Sequence, residues 1–375
     1  MVYYDFKGLK LSALGMGCMR FPVKNEDNSQ IDEEKTAEMF DYAIKNGVNY
    51  FDTAWGYHSG MSELVTGKLL SKYPRESFYL TSKFPGYDAA NLEKKEEVFE
   101  KQLEKCRVNY FDFYLFHNVT EKNIDNYLDE KYGIYEYLIE QKRLGRIRHL
   151  GFSTHGNLDT MKRFLDAYGK DMEFCQLQIN WLDWGYQNAK AKCELVASYG
   201  IPVWVMEPVR GGSLVKLDEK HLNALNALNS TRSAAEWAFR FIQSLDNIGV
   251  TLSGMSNFEQ LKENIELFSK PETLKEDELR TLFRIAREMT SANTVPCTAC
   301  GYCKDYCPME LDIPDLLELY NEFAYSGGAF NAEYKALPEN KKTTACIGCR
   351  SCEAVCPQEI KISEAMADFA KRVEK

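Results

Sequence analysis

FYLTSKFPGYDAANLEKKEEVFEKQLEKCRVNYFDFYLFH, residues 78–117, holds one complete repeat of the fold. It opens on the short apolar β-type run FYLTSKF (78–84), passes through a helical pattern at Leu92–Cys106, and closes on a second β-type run, DFYLFH (112–117). Working outward, the same alternation recurs on both sides. Toward the N-terminus the strand-like runs are SALGMGCM (12–19) and NYFDTA (49–54). Toward the C-terminus they are RHLGFS (148–153), EFCQLQIN (173–180), IPVWVMEP (201–208) and IGVTLSGM (248–255). Helical patterns at Glu33–Asn46, Ser62–Lys72, Ile134–Leu144 and Ser233–Gln243 lie between them. Eight β-then-α repeats up to residue 270 predict a (β/α)8 TIM barrel, in the α/β class. The opening VYYDFKGLKL predicts a hairpin turning near Lys7-Gly8. An open doubly wound sheet is the rival, but no G-x-G-x-x-G follows a first strand.

The whole chain has 375 residues, 45% of them hydrophobic and 27% charged, enough apolar content to build a sizeable core rather than a disordered chain. No run approaches the roughly 18 apolar residues of a membrane helix. The first residues, MVYYDFKGLK, lack the basic-then-apolar pattern of an export signal, so the expected compartment is the cytoplasm. A net charge of −10 with no basic run argues against nucleic acid, whose phosphates would repel the chain.

Cysteine is distributed unevenly. Cys18, Cys106, Cys175 and Cys193 are scattered through the first 296 residues and read as small buried apolar residues. Eight more fall in the last 79 residues, in two copies of one pattern. The first is Cys297-x2-Cys300-x2-Cys303-x3-Cys307-Pro308, and the second is Cys346-x2-Cys349-x2-Cys352-x3-Cys356-Pro357. Three thiolates two residues apart let a tight loop wrap one [4Fe-4S] cube, while the fourth, leading into a helix after Pro, ligates the other cube. That rule assigns Cys297, Cys300, Cys303 and Cys356 to one cluster, and Cys346, Cys349, Cys352 and Cys307 to a second. Zinc is the alternative, but its sites favour two C-x2-C knuckles. The 38-residue spacer (308–345) contains a helical pattern at Asp315–Tyr325, so a small, mainly helical ferredoxin-like domain is expected. The domains are then 1–270 for the barrel, 271–292 for a charged connecting helix, and 293–375 for the cysteine domain.

At the end of the second barrel strand stands Phe51-Asp52-Thr53-Ala54-Trp55-Gly56-Tyr57; the third ends in Thr81-Ser82-Lys83 and the fourth in Tyr114-Leu115-Phe116-His117. Asp52, Tyr57, Lys83 and His117 therefore gather at the C-terminal face, where barrels of this type carry their chemistry. Reducing a carbonyl needs a hydride at carbon and a proton at oxygen. A Tyr hydroxyl ordinarily ionises near pH ~10, too high for easy proton exchange at neutral pH. A buried Lys beside it favours the phenolate. Tyr57 is thus the candidate general acid/base, Lys83 and Asp52 its tuning pair, and His117 the group that orients the carbonyl. Trp55, Trp181 and Trp184 can line a pocket or simply pack, and His58 and His155 read as supporting or solvent-facing. The run EKNIDNYLDEKY (121–132) reads as a solvated loop or helix face.

With these residues in this order, the chain resembles the aldo-keto reductase family, in the branch with a C-terminal ferredoxin-type domain. The resemblance implies a nicotinamide cofactor, NADP or NAD, and a small-molecule carbonyl or alcohol as substrate. It places the nicotinamide against Ser153 and Gln176, with Thr154 standing where the family has Asn. Arg210 and Gly211 can approach the pyrophosphate or simply form a turn; Ser253 and Asn257 open a helix whose N-terminus suits phosphates, or form an ordinary strand–helix turn; Glu263 and Asn264 match the family's adenine-side pair. Met206-Glu207-Pro208 stands where the family often has a stacking aromatic ring, and Gly254 and Gln260 replace the two cations that meet a 2′-phosphate.

Three functions follow from this combination. The first is a nicotinamide-dependent oxidoreductase whose clusters relay electrons or hold the fold, with a one-electron carrier protein as a further partner. The second is a ferredoxin-linked reductase fed through the clusters. The third is a non-catalytic redox sensor or scaffold. The intact Asp-Tyr-Lys-His set favours the first.

Overall fold

The computed structural model describes residues 1–290, 294–326 and 331–373. The boundary expected at 292/293 lies outside the described residues. Two strands, β1 (Tyr3–Phe6) and β2 (Leu9–Ser12), form the expected antiparallel hairpin. Its turn sits at Lys7 and Gly8, both with positive φ (51° and 87°). Glycine at the second position takes that conformation without steric cost.

Eight parallel strands follow: β3 (Leu14–Gly17), β4 (Tyr50–Asp52), β5 (Tyr79–Phe84), β6 (Phe111–Val119), β7 (Ile147–Thr154), β8 (Cys175–Gln178), β9 (Val203–Met206) and β10 (Ile248–Ser253). They pair in sequence order, and β10 closes on β3, so the barrel is complete. Every strand-like run of the sequence supplies one barrel strand. Burial is near-continuous in β5 and β6, where all but the first residue of β5 and one residue of β6 are buried, polar Thr81, Ser82 and Lys83 included. Strands covered on both faces show that burial.

The hairpin belongs to the barrel core. Phe6 and Leu11 are buried with Tyr50, Phe113, Phe174, Trp204 and Val250 in one apolar cluster. The Phe6 ring meets Trp204 edge-on at 5.2 Å, so the chain's first strands fill the barrel floor and leave the opposite end for chemistry. Helices Ser62–Leu70 and Lys95–Cys106 approach so closely that a Cβ on Gly67 would lie 2.4 Å from the Lys105 carbonyl oxygen.

The segment 121–132 departs from its expected solvated character. It holds a short helix, Ile124–Leu128, whose Ile124 and Tyr127 are each 1% exposed. Tyr127 donates its hydroxyl hydrogen to the His117 carbonyl at 2.8 Å. The charges of this run outnumber its apolar residues, and the two buried ones fall on a single helical face.

The chain forms two compact units. One comprises 1–179, 189–208 and 242–273 and contains the hairpin and all eight barrel strands. The other comprises 180–188, 209–241 and the residues from 274 onward. Two segments that follow β8 and β9 therefore group with the C-terminal residues, which a division by chain order does not foresee. In this second unit the helix Glu276–Thr290 occupies the place of the expected connector. The helices Ile313–Ser326 and Ile362–Val373 bury Leu316, Leu317, Tyr320, Met366 and Phe369 around the cysteine loops. No helix among the described residues is long and apolar enough to cross a membrane.

Candidate active site and cysteine cavities

Asp52 is the last residue of β4, and Lys83 lies one residue from the end of β5. Parallel pairing sets Asp52 opposite Thr81 and Lys83 opposite Leu115, so both side chains emerge at the same end of the barrel. Lys83 is fully buried. Its Nζ donates to Asp52 Oδ1 at 2.6 Å, to the Thr53 carbonyl at 2.8 Å and to the Tyr57 hydroxyl at 3.3 Å. Burial pushes the Asp52 carboxyl above its usual range, against the pull of Lys83 and of Gln176. The amine therefore connects a buried carboxyl to a phenol that remains half-exposed at the mouth.

Tyr57 opens a short 3-10 turn, Tyr57–Gly60, in which His58 and Ser59 adopt left-handed backbone angles. Non-glycine residues rarely take that conformation unless surroundings impose it. Here His58 is the anchor. Its Nε2 accepts from the Phe21 N–H at 3.0 Å, and its Nδ1 faces the Asn28 carbonyl at 2.8 Å. Those two contacts need a neutral ring with its hydrogen on Nδ1, and burial accordingly lowers the His58 pKa. His58 is thus buried and structural, at 2% exposure, rather than solvent-facing. Ser62, just beyond, donates to the Cys18 carbonyl at 2.7 Å and ties the loop back to the end of β3.

His117 near the end of β6 is 5% exposed. Burial holds its pKa well below the ordinary value, with the Lys83 cation adding to the effect. The Tyr57 ring meets it edge-on at 6.1 Å and the Tyr87 ring at 5.2 Å. Its Nδ1 is buried with no hydrogen-bond partner among the described residues. All four residues singled out in the sequence are therefore brought together.

A second layer was not singled out. Glu63 is wholly buried and accepts from Ser82 Oγ and Gln102 Nε2, both at 2.7 Å. Gln102 also donates to the Lys83 carbonyl at 3.0 Å, so this network fixes the strand that carries Lys83. Glu63 stands beside the Tyr57 motif in sequence; Gln102, on a helix 45 residues downstream of Tyr57, gives no local signal.

The residues expected at the cofactor are placed less uniformly. Gln176 donates to Asp52 Oδ2 at 3.1 Å, which draws it into the same network. Ser153 Oγ accepts from the Asn118 N–H at 2.9 Å. At the end of β10, Ser253 Oγ accepts from Asn264 at 3.0 Å, and Asn257 caps the helix Phe258–Ser269 by accepting from the Gln260 N–H at 2.9 Å. Glu263 is half-exposed on that helix. The Arg20 stem lies against Gly254, close enough that a Cβ there would meet Arg20 Cβ at 3.0 Å. Arg210 belongs to the second unit, where its Nε donates to Asp183 Oδ2 at 3.1 Å in a buried ion pair. Gly211 and Gly212 follow it with positive φ.

Among the scattered cysteines, Cys18, Cys106 and Cys175 are buried and Cys193 half-buried. Burial pushes the thiols of Cys18 and Cys193 up to about 12, which removes them from thiolate chemistry. The other eight line two cavities. One is lined by Cys297, Cys300, Cys303 and Cys356; the other by Cys307, Cys346, Cys349 and Cys352. In each set the fourth sulfur comes from the opposite motif, as the spacing rule predicts. Burial raises the Cys303 thiol, and neighbouring Cys300, Cys297 and Cys356 raise it further. Cys352 is raised to about 11 by burial, with Cys346 and Cys307 among the groups that add to it. No three His, Cys, Asp or Glu side chains among the described residues close on one point as a single ion requires. A cube, with four separate corners, asks instead for sulfurs spread around a cavity. The donor chemistry and the two walls fit two [4Fe-4S] clusters.

Two family models match the chain. That of the aldo/keto reductase family matches residues 13–287, and that of the 4Fe-4S dicluster domain matches residues 289–372. "Probable aldo-keto reductase 1" of Glycine max is 27% identical over 214 residues, which cover 55% of this chain and 58% of that protein. The NADH-specific methylglyoxal reductase of Escherichia coli is 25% identical over 223 residues, covering 55% of this chain and 66% of that one. The chain thus spans less than two thirds of either relative. An aldo-keto reductase from Bacillus halodurans, in its holo form, superposes with a TM-score of 0.61 at 24% identity, over 76% of this chain and 95% of that one. This last likeness speaks for the barrel fold alone.

Proposed function

Because this chain belongs to the aldo/keto reductase family and carries a 4Fe-4S dicluster domain, we propose that it interconverts a small carbonyl compound and its alcohol with a nicotinamide cofactor. The observation that carries this reading is the Lys83 amine, joined at once to the Asp52 carboxyl and the Tyr57 hydroxyl. When bound, the nicotinamide supplies or takes the hydride. The chain supplies the rest. Tyr57 gives its proton to the carbonyl oxygen, and Lys83 stabilises the phenolate that remains. Asp52 and the Thr53 carbonyl hold Lys83 in place. His117, neutral in its buried setting, offers an N–H that orients the carbonyl. Ser153 and Gln176 would hold the nicotinamide carboxamide, Ser253 and Asn257 at the helix N-terminus a phosphate, and Glu263 and Asn264 the adenine side. Gly254 and Gln260 stand at the two positions where the family carries cations for a 2′-phosphate, so NADH and NADPH are both to be titrated.

The eight C-terminal cysteines are proposed to hold two [4Fe-4S] clusters, which exchange single electrons when bound. The two four-cysteine cavities favour a second reading of the route, in which a reduced one-electron carrier supports turnover through them. The test uses anaerobically purified protein and a panel of aldehydes and ketones. Tyr57→Phe should lower turnover by about 10²–10⁴-fold, the ordinary worth of a positioned proton donor, while nicotinamide binding persists. Unchanged turnover would remove Tyr57 from the mechanism. Turnover with a reduced low-potential dye and no nicotinamide would favour the second route.

A further inference from the structure

Thr298 sits between the first two cysteines of the first motif and lines the same cavity as Cys297, Cys300, Cys303 and Cys356. The residue is 1% exposed, and its Oγ1 is buried with no hydrogen-bond partner among the described residues. A buried hydroxyl left unpaired costs about 1–3 kcal/mol, so an orphan in a cavity wall points to a ligand that brings an acceptor. Most of the remaining wall is apolar, with Pro314, Leu317, Ile360 and Ile362. The nearby backbone already directs a donor at sulfur: the Ala299 N–H reaches Cys297 Sγ at 3.5 Å.

The other cavity is built differently. Its aliphatic hydroxyl, on Ser363, donates to Glu353 Oε1 at 2.5 Å and is thereby committed to protein. Its Cys349 is exposed, whereas Cys303 and Cys356 of the first set are buried. Among the aliphatic hydroxyls, then, that of the second wall is committed to protein and that of Thr298 is not, while the phenol of the second wall, Tyr306, is exposed to solvent.

We propose that the Thr298 hydroxyl donates a hydrogen bond to a sulfur of the cluster held by Cys297, Cys300, Cys303 and Cys356, and so raises that cluster's reduction potential. The proposal rests on the reading that these cysteines hold a [4Fe-4S] cluster. One electron entering the cluster adds negative charge to its sulfurs, and no proton leaves the threonine. A donor aimed at sulfur stabilises the reduced form more than the oxidised one, which shifts the potential upward. Thr298 acts here as a positioning residue that sets a potential. With an exposed ligand, Cys349, on its neighbour and none on its own set, this cluster becomes the one whose potential a wall hydroxyl sets.

The test uses the full chain with its iron, purified anaerobically, as wild type, Thr298→Val, Thr298→Ala and Thr298→Ser. Iron and sulfide are measured first, then potentials by titration with dithionite under EPR. Thr298→Val should keep the iron and sulfide of two clusters and move one of two reduction steps to lower potential, leaving the other in place. Thr298→Ala, which lacks the hydroxyl without crowding the wall, should move the same step in the same direction, and Thr298→Ser should restore it. Cys349→Ser, by altering the signal of the other cluster, identifies which step is which. Two unmoved steps in both Thr298→Val and Thr298→Ala overturn the proposal, as does a shift in the step that Cys349→Ser marks. A wild type that takes up no iron or sulfide overturns the cluster reading itself, and the proposal falls with it.

Discussion

At the barrel mouth, Lys83 has three partners within 3.3 Å and all come from the protein. In the C-terminal segment, Cys303, Cys352 and Cys356 are members of the apolar core while also lining the two cavities. Around Lys83 the hydrogen bonds are already made by the protein, and His117 Nδ1 is the buried polar atom of the rim left without a partner among the described residues. The C-terminal segment spreads four sulfurs around each of two spaces, where the proposed clusters would take them as thiolates. A preorganised site draws its order from the strands behind it. A cofactor-dependent site lends order to the elements around it.

The most severe test of this contrast is removal of iron. An anaerobic chelator should expose the residues from 294 to 373 to proteolysis while the barrel fragment survives, read by mass spectrometry of the digest. Equal resistance before and after would erase the contrast. Next comes Lys83→Met. It leaves the buried Asp52 carboxyl without its cation, and breaking a buried pair in this way costs about 3–5 kcal/mol. Denaturant unfolding should show that loss in the barrel, whereas Tyr57→Phe, at a half-exposed phenol, should leave stability nearly unchanged.

A smaller effect is expected at Gly67. A Cβ there meets the Lys105 carbonyl oxygen and the Cys106 backbone, neither of which yields as a side chain would. Gly67→Ala should therefore lower thermal stability by about 1–3 kcal/mol, the usual toll of overpacking; a neutral result would mean the two helices can slide apart. The mildest is a pH effect. The pKa values of His58 and His117 are lowered in the folded chain, first by burial. Their contribution to stability is then present above the unfolded value near ~6.5 and is lost as pH falls below it, at up to about 1.4 kcal/mol per pH unit for each ring. Protonated His58 could no longer accept from the Phe21 N–H. Urea midpoints measured between pH 7.5 and 5.5 should fall, and a flat profile would contradict the buried neutral ring.

Much of the fold was legible because barrel strands are short, local and rich in β-branched, aromatic and other apolar residues. Each of the eight runs, from Leu14–Gly17 to Ile248–Ser253, carries its own signal. The cysteine pattern is local for the same reason: ligands within ten residues share one loop. Asp52, Tyr57, Lys83 and His117 were legible because they fall at the ends of successive strands, and a barrel gathers those ends at one rim. The burial of Ile124 and Tyr127 escaped notice because the run 121–132 is dominated by charge. The anchoring role of His58 escaped because its partners, Phe21 and Asn28, lie 37 and 30 residues away.

The sequence by itself determined the barrel, the two cysteine motifs and the identities of the four residues at the rim, since each depends on spacing that a short segment carries. Only the tertiary structure decided that Gln176 would lean on Asp52 across 124 residues, that Gln102 would brace the strand of Lys83, and that 180–188 and 209–241 would group with the C-terminal residues. It also decided that Thr298 would be buried without a partner among the described residues while Ser363 would be paired. The reason is physical: spacing along a chain fixes what one segment can present, but a hydrogen bond between distant segments exists only once packing has set both of their positions.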